Sequence, residues 1–168
     1  MSVLIESELA PGLRDAMRQL AGGVAIVSAG RGEARNGLTA TSVTSLTLDP
    51  PCLLVCVNRR ASAWPLMRDE GRFCVNILAE HHRPLALRFS GVGGAKGVAR
   101  FEGGSWEEGP NGSPVLTDAL AAIECDLEDL VERHSHVIVI GAARSVRVGG
   151  GAAALLYRTG LYGRFQPL

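Results

Sequence analysis

The chain has no surplus of either charge: 17 basic and 17 acidic residues leave a formal net charge of +0. Recognition of nucleic acid through its phosphates needs a basic field, so that class of partner is excluded. No run of about 18 apolar residues occurs, so no membrane span is expected. The opening MSVLIESELAPGLRD carries acids early and no basic stretch, unlike a secretory leader. None of the four cysteines, Cys52, Cys56, Cys74 and Cys125, forms a Cys-x-x-Cys pair. Sitting in apolar, strand-like runs, they read as buried reduced thiols of a cytoplasmic protein, with no metal site. A Gly-x-x-x-x-Gly-Lys-Ser/Thr phosphate loop is absent, and so is the Gly-x-Ser-x-Gly elbow of a hydrolase. Aromatics make up only 5% of residues.

What is present fits one globular domain spanning residues 1–168, 46% apolar and 20% charged. Leu13, Met17, Leu20 and Ala21 recur at helical spacing, and Gly22-Gly23 is expected to end that helix. Val24 to Ser28 reads as a strand. Asn36-Gly37 reads as a hairpin turn, with Leu38 to Leu48 returning as one hydroxyl-rich strand. Asp49-Pro50-Pro51 stops it. Cys52 to Val57 is apolar throughout and reads as a strand buried on both faces. Ser62 to Arg68 is a short helix capped by Ser62. Phe73 to Leu78 is a strand, and His82 to Phe89 a helix with Pro84 in its first turn. Gly91 to Gly97 is a glycine-rich, mobile loop.

Beyond it, Ile123, Cys125 and Leu127 alternate with acids, predicting a half-exposed strand. His134 to Val148 is a long strand, followed by two short ones at Leu155 to Tyr157 and Leu161-Tyr162. Six or seven strands and two or three short helices, without βαβ alternation, predict a mainly β fold. The expected architecture is an antiparallel, Greek-key-like barrel with helices at its ends.

The densest stretch is Gly37 to Trp64. Thr39, Thr41, Ser42, Thr44, Ser45 and Thr47 offer donors to an anionic, ring-bearing ligand, although threonine-rich strands also arise from β-propensity. A phosphate could meet Thr39 to Ser42, the start of the helix near Ser62, and a cation from Arg59, Arg60, Lys96 or Arg100. His134 and His136 share a strand face, but no third metal ligand stands clearly beside them. His81-His82 reads as solvated.

These motifs, in this order, resemble the short-chain flavin reductase family, the reductase components of two-component flavin-dependent monooxygenases. The resemblance runs from LRDAMRQLAGGVAIVS through GLTATSVTSLTLDPPCLLVCVNRRASAW, GRFCVNIL and ARFEGGSW to LLYRTGLYGRF. It implies an FMN-binding split barrel that uses FMN or FAD with NADH or NADPH. It also implies a homodimer and a transient oxygenase partner. By the same resemblance Thr39, Ala40, Thr41 and Ser42 line the flavin ring, and Cys56, Val57, Asn58 and Ser62 meet the ribityl chain and phosphate. Asn76 lies close to the pocket, Arg100 and Phe101 form a basic–aromatic pair, and Tyr157 and Tyr162 lie near the ring. His136 matches the histidine of a Gly-Asp-His motif tied to the nicotinamide dinucleotide. Here that motif reads His134-Ser135-His136, so flavin binding is implied more directly than the choice of nucleotide. No acid–base residue is required, because the cofactors carry the chemistry. Two other classes stay open: a non-catalytic flavin-binding protein, and an oxidase of the pyridoxamine-phosphate type on the same barrel.

Overall fold

The computed structural model describes residues 6–168, with side chains from Leu9 onward. The opening segment read for a leader lies partly outside these residues. Helix α1 (Glu6–Met17) carries Pro11 within it and ends before the glycine pair. Gly22–Gly23 instead forms strand β1, paired with β11 (Leu155–Arg158), which turns back into β12 (Leu161–Arg164). The helix therefore starts earlier than the apolar spacing predicts. Its apolar stripe of Leu9, Leu13 and Met17, with Leu20 beyond, remains exposed.

Seven strands form the main antiparallel sheet: β2 (Ala25–Ala29), β3 (Asn36–Ala40), β4 (Val43–Leu48), β5 (Pro51–Asn58), β6 (Arg72–Ile77), β9 (Ala121–Arg133) and β10 (His136–Val148). Their order is β3-β2-β6-β9-β10-β5-β4. A small hairpin, β7 (Trp106–Glu108) with β8 (Pro114–Leu116), and two short helices, α2 (Trp64–Glu70) and α3 (Arg83–Phe89), complete the regular elements. Twelve strands are present among the described residues, against the six or seven expected. Much of the difference comes from short ladders too brief to leave a periodic signal.

The expected strand Leu38 to Leu48 is broken at Thr41-Ser42, and this break organises the molecule. Strands β3 and β4 are consecutive in the chain yet occupy opposite edges of the sheet. Laid flat, seven strands would hold their edges about 29 Å apart, at about 4.8 Å per strand. Two intervening residues let the flanking Cα atoms separate by at most about 11 Å. The sheet must curl until its edges meet at Thr41-Ser42. Ser42 anchors the start of β4 to β5, one position beyond the Val43–Val55 pair: its Oγ donates to the Cys56 carbonyl at 3.0 Å and accepts from the Cys56 N–H at 3.3 Å.

Alternation along the strands fills two cores. Val27, Val55, Val57, Phe73, Val75, Val137 and Val139 pack inside the curl with Trp64 and Met67 of α2. Ile26, from the other face of β2, packs with Leu78, Leu85, Phe89, Phe101 and Leu116. Strand β5 is not buried on both faces as its composition suggests. Val55 and Val57 point inward while Cys56 and Asn58 are exposed. Cys56 is therefore an exposed thiol, whereas Cys52, Cys74 and Cys125 are buried. Burial pushes the Cys125 thiol up to about 12.

Asn36-Gly37 is not a turn. Both residues open β3, and the reversal is made by the short 3-10 helix Gly32–Ala34. Gly37 is needed for packing instead. A Cβ there would stand 2.6 Å from the Phe89 ring and 2.9 Å from the Val27 carbonyl. Ser62 caps no helix, since α2 begins two residues later with Pro65 in its first turn. Glu124 breaks the acid-out pattern of β9. It is buried, and its Oε1 accepts the Asn111 N–H at 2.9 Å, which holds the 109–113 turn against the sheet.

Candidate flavin site at the seam of the sheet

A cavity of about 830 Å³ opens where the two sheet edges meet. One end is walled by Leu38, Thr39, Ala40, Thr41 and Ser42, the other by Asn58, Arg60, Ala61 and Ser62; Phe89, Ser90, Lys96, Gly97 and Arg100 close one side, and Cys56 and His136 also face in. Strand pairing brings the distant pieces together. His136 of β10 lies directly opposite Asn58 of β5, and Ile138 opposite Cys56. Because side chains alternate, one register places Cys56, Asn58 and His136 on the cavity side and Val57 and Val137 in the core.

Of the residues expected to bind the cofactor, Thr39, Ala40, Thr41, Ser42, Cys56, Asn58, Ser62, Arg100 and His136 line this cavity. Val57, Asn76 and Phe101 do not, for a physical reason in each case. Val57 points inward by the parity of β5. Phe101 packs edge-on to Phe89 and Trp106, both at 4.9 Å between centroids, and the Arg35 guanidinium stacks 4.8 Å above it. Asn76 is a buried junction. Its Nδ2 donates to the Ile26 carbonyl (3.2 Å) and Ser28 Oγ (3.0 Å), and its Oδ1 accepts the Leu116 N–H (2.8 Å). Tyr157 and Tyr162 face each other across β11–β12 with ring centroids 5.1 Å apart. They line an adjoining cavity of about 380 Å³ that shares Thr39, Ala40, Thr41 and Ser90 with the first.

The hydroxyls are less available than their number suggests. Thr39 Oγ1 donates to the Ala86 carbonyl of α3 at 2.7 Å, and Ser42 Oγ is engaged at the seam. Strand β4 carries Thr44, Ser45 and Thr47 along the sheet edge, outside the cavity. The Thr41 hydroxyl and the backbone groups of Thr39 to Ser42 therefore remain as the polar surface at this end. Among the candidate cations, Arg59 pairs with Glu132 at 3.4 Å. Arg100 is a fastener: its Nε donates to the Ala95 carbonyl (3.0 Å) and its Nη1 to the Gly37 carbonyl (2.7 Å). These bonds order the glycine-rich loop expected to be mobile, which forms the 3-10 turns Val92–Gly94 and Gly97–Phe101. Arg60 and Lys96 face the cavity with no salt-bridge partner among the described residues. Sequence reasoning weighed both only as alternatives; their lack of a structural partner is visible only in three dimensions.

The histidines separate by location. His134 sits in the tight turn between β9 and β10 with φ 50, so it does not share a strand face with His136. Ser135 Oγ stands 2.9 Å from His136 Nδ1, a contact that holds the imidazole and leaves Nε2 for another partner. His82 is buried rather than solvated. Its Nδ1 accepts the Ala79 N–H at 3.0 Å, so the neutral ring carries its proton on Nε2, 3.2 Å from Asp118 Oδ1. His81 Nε2 approaches the other Asp118 oxygen at 3.3 Å. The three ligand atoms converge, but a metal on His82 Nε2 would need that proton moved to the nitrogen already accepting from Ala79. The group is better described as a clamp at the start of α3.

A curled antiparallel sheet and a cavity at its seam, with polar groups at one end and the unpaired cations Arg60 and Lys96 in its walls, suit a flat ring with an anionic tail. Residues 17–166 match the family model described as flavin reductase like domain, and the chain belongs to that family. It is 38% identical over 144 residues to the FMN reductase (NADH) RutF of Agrobacterium fabrum, covering 86% of this chain and 82% of that protein. It is 34% identical over 155 residues to the reductase component of the 4-hydroxyphenylacetate 3-monooxygenase of Salmonella typhimurium, covering 92% and 89%. Among solved structures, the NADH:FAD oxidoreductase of Streptomyces globisporus C-1027 superposes with a TM-score of 0.87 at 28% identity, covering 99% of each chain. The same enzyme has been seen with NAD and FAD fragments.

Proposed function

We propose that this chain is an NAD(P)H:flavin oxidoreductase that hands reduced flavin to a partner monooxygenase. The observation that carries this is the seam cavity, which is lined by Thr39 to Ser42 and also by two cations without ion-pair partners among the described residues, Arg60 at the Asn58–Ser62 end and Lys96 along one side. The donor set fits a flavin mononucleotide: neutral backbone groups for the ring, Asn58 and Ser62 for the ribityl chain, and two cations for a doubly charged phosphate. When bound, the flavin supplies a hydride acceptor at its ring. The protein's part is to hold the ring edge against Thr39 to Ser42, where N–H groups favour added negative charge, and to keep the opposite face open to a nicotinamide. His136, oriented by Ser135, stands at the rim where the nucleotide would enter. Tyr157 and Tyr162 supply an aromatic wall beside the ring. Burial raises the pKa of Tyr162, so it stays a neutral phenol near neutral pH.

The whole chain is read as one flavin reductase-like domain, and the curled sheet with its seam as an FMN-binding split barrel. Exposed Leu46 and Leu48 on β4 and Val146 and Val148 on β10 give an apolar surface suited to a homodimer. A monomer with an intact flavin site, seen by light scattering, would remove that part. Free cysteines fit a cytoplasmic location, and among the described residues no helix is long and apolar enough to cross a membrane. The deciding experiment is anaerobic mixing of protein and FMN with NADH or NADPH, followed by the flavin absorption band. Bleaching far above the rate of free flavin is expected; no bleaching with either nucleotide, on FMN or FAD, overturns the reading.

A further inference from the structure

The segment from Lys96 to Phe101 divides its residues between two cavities. Lys96, Gly97 and Arg100 face the flavin site, whereas Val98, Ala99 and Phe101 line a separate cavity of about 290 Å³ that shares no residue with it. Val98, Phe101 and Trp106 give this second cavity an apolar wall, and Arg35 brings a cation to it. Arg35 follows the 3-10 helix Gly32–Ala34 and lies over Phe101, its guanidinium 4.8 Å from the ring centroid. Stacking uses the flat face of the guanidinium. Its N–H groups lie in the plane and still need acceptors.

Those acceptors are missing. Arg35 Nε and Trp106 Nε1 are buried with no hydrogen-bond partner among the described residues. Arg88 Nε is in the same condition, although its Nη2 donates to the Ala99 carbonyl in the cavity wall at 2.6 Å. Three of the five such atoms among the described residues are therefore N–H donors gathered at this one place. Burying a donor without an acceptor is costly, and an orphaned group marks where a bound species belongs. Glu102 is the one carboxylate in the lining, and Arg88 holds it at 2.7 Å. Arg35 has no ion-pair partner among the described residues, so two guanidinium groups against one carboxylate leave the cavity positive. Water would satisfy the N–H groups but leave that charge unbalanced beside an apolar wall.

We propose that this cavity binds a small organic carboxylate, and that its occupancy tightens flavin binding. The carboxylate meets the edge of the Arg35 guanidinium, whose planar fork matches it, and the apolar body of the ligand lies against Val98 and Trp106. A ligand held there fixes Val98 to Phe101 from the outside. The same short segment carries Lys96, Gly97 and Arg100 into the flavin site, where Arg100 alone fastens it, through the Ala95 and Gly37 carbonyls. Ordering the segment once serves both ligands, so each favours the other. The carboxylate site stands apart from the flavin-reductase reading. The coupling rests on that reading, because it needs a flavin in the seam cavity.

Benzoate is the probe, with benzamide as its uncharged counterpart of the same shape. In calorimetry on protein saturated with FMN, benzoate is expected to bind roughly tenfold tighter than benzamide. Arg35→Gln should erase that difference and Arg35→Lys keep part of it. The chain has two tryptophans, which allows a second reading on the unaltered protein. Benzoate should move the indole N–H resonance of Trp106 and leave that of Trp64, in the core inside the curl, where it was. Saturating benzoate should lower the FMN dissociation constant about threefold in the wild type and not at all in Arg35→Gln. Equal binding of benzoate and benzamide, an unmoved Trp106 resonance, or benzoate binding that survives Arg35→Gln but is lost in Arg60→Ala overturns the site. An FMN affinity unchanged by benzoate overturns the coupling. Failure to bind any flavin overturns the function reading instead, and calorimetry without flavin still decides the carboxylate site.

Discussion

Replacing Asn76 with alanine separates a cofactor role from a structural one. The side chain is fully buried and makes bonds to three partners from different elements: the Ile26 carbonyl, Ser28 Oγ and the Leu116 N–H. Alanine strands the Leu116 N–H in the interior, at roughly 1–3 kcal/mol, and removes two further bonds worth about 1 kcal/mol each. Partial relaxation around the vacated space leaves an expected loss of about 3 kcal/mol, a large share of the roughly 5–15 kcal/mol of a typical domain. With a slope near 2 kcal/mol per molar urea, the unfolding midpoint should fall by about 1.5 M with the slope unchanged. FMN affinity, measured by quenching of flavin fluorescence under conditions where the variant is folded, should stay within about threefold, because Asn76 lines no part of the cavity. An unchanged midpoint together with a tenfold weaker FMN complex would refute the reasoning and place Asn76 on the cofactor.

Arg60→Ala should weaken FMN binding about tenfold, the low end for a bond to a charged group given how open this end is, and leave riboflavin binding unchanged because riboflavin has no phosphate. Equal losses for both flavins in calorimetry would show that Arg60 does not meet the phosphate. Burial holds the His82 pKa below its ordinary value, against the pull of Asp118. The unfolded chain therefore takes up a proton there before the folded chain does, and stability falls as pH drops below about 6.5. His82→Gln, whose oxygen can accept the Ala79 N–H, should flatten the slope of melting temperature against pH between about pH 5 and 7. An unaltered slope counts against the clamp.

The mainly β character was legible from period-two runs, and the site's neighbourhood from the stretch Gly37 to Trp64. What pattern could not reveal was where that stretch breaks. Thr41-Ser42 is as hydroxylated as its flanks, and only the pairing of β3 with β2 and of β4 with β5 separates them. Asn76 and Phe101 were misplaced by adjacency: both lie on segments that support the cavity, but their side chains turn away from it. Glu124 and His82 were read as solvated because single polar residues in strands and helix starts usually are. A distant partner, Asn111 in one case and Ala79 with Asp118 in the other, made burial affordable. Arg60 and Lys96 became distinct from Arg59 and Arg100 only once the partners of the latter pair were seen.

The two-residue seam also bears on the order of folding. Five ladders join strands that follow one another in the chain: β2–β3, β4–β5, β7–β8, β9–β10 and β11–β12. The pairings of β2 with β6, β6 with β9 and β5 with β10 bring together remote segments and must wait for slower loop closures. Thr41-Ser42 tethers the ends of β3 and β4 throughout, but no ladder joins them, so the two edges are fixed side by side only once the pairings that run between them around the sheet are made. The flavin slot comes into being with that final closure. A bound flavin therefore stabilises the finished molecule alone and gives no help to partly paired forms, which makes flavin capture a direct reading of the last step of assembly.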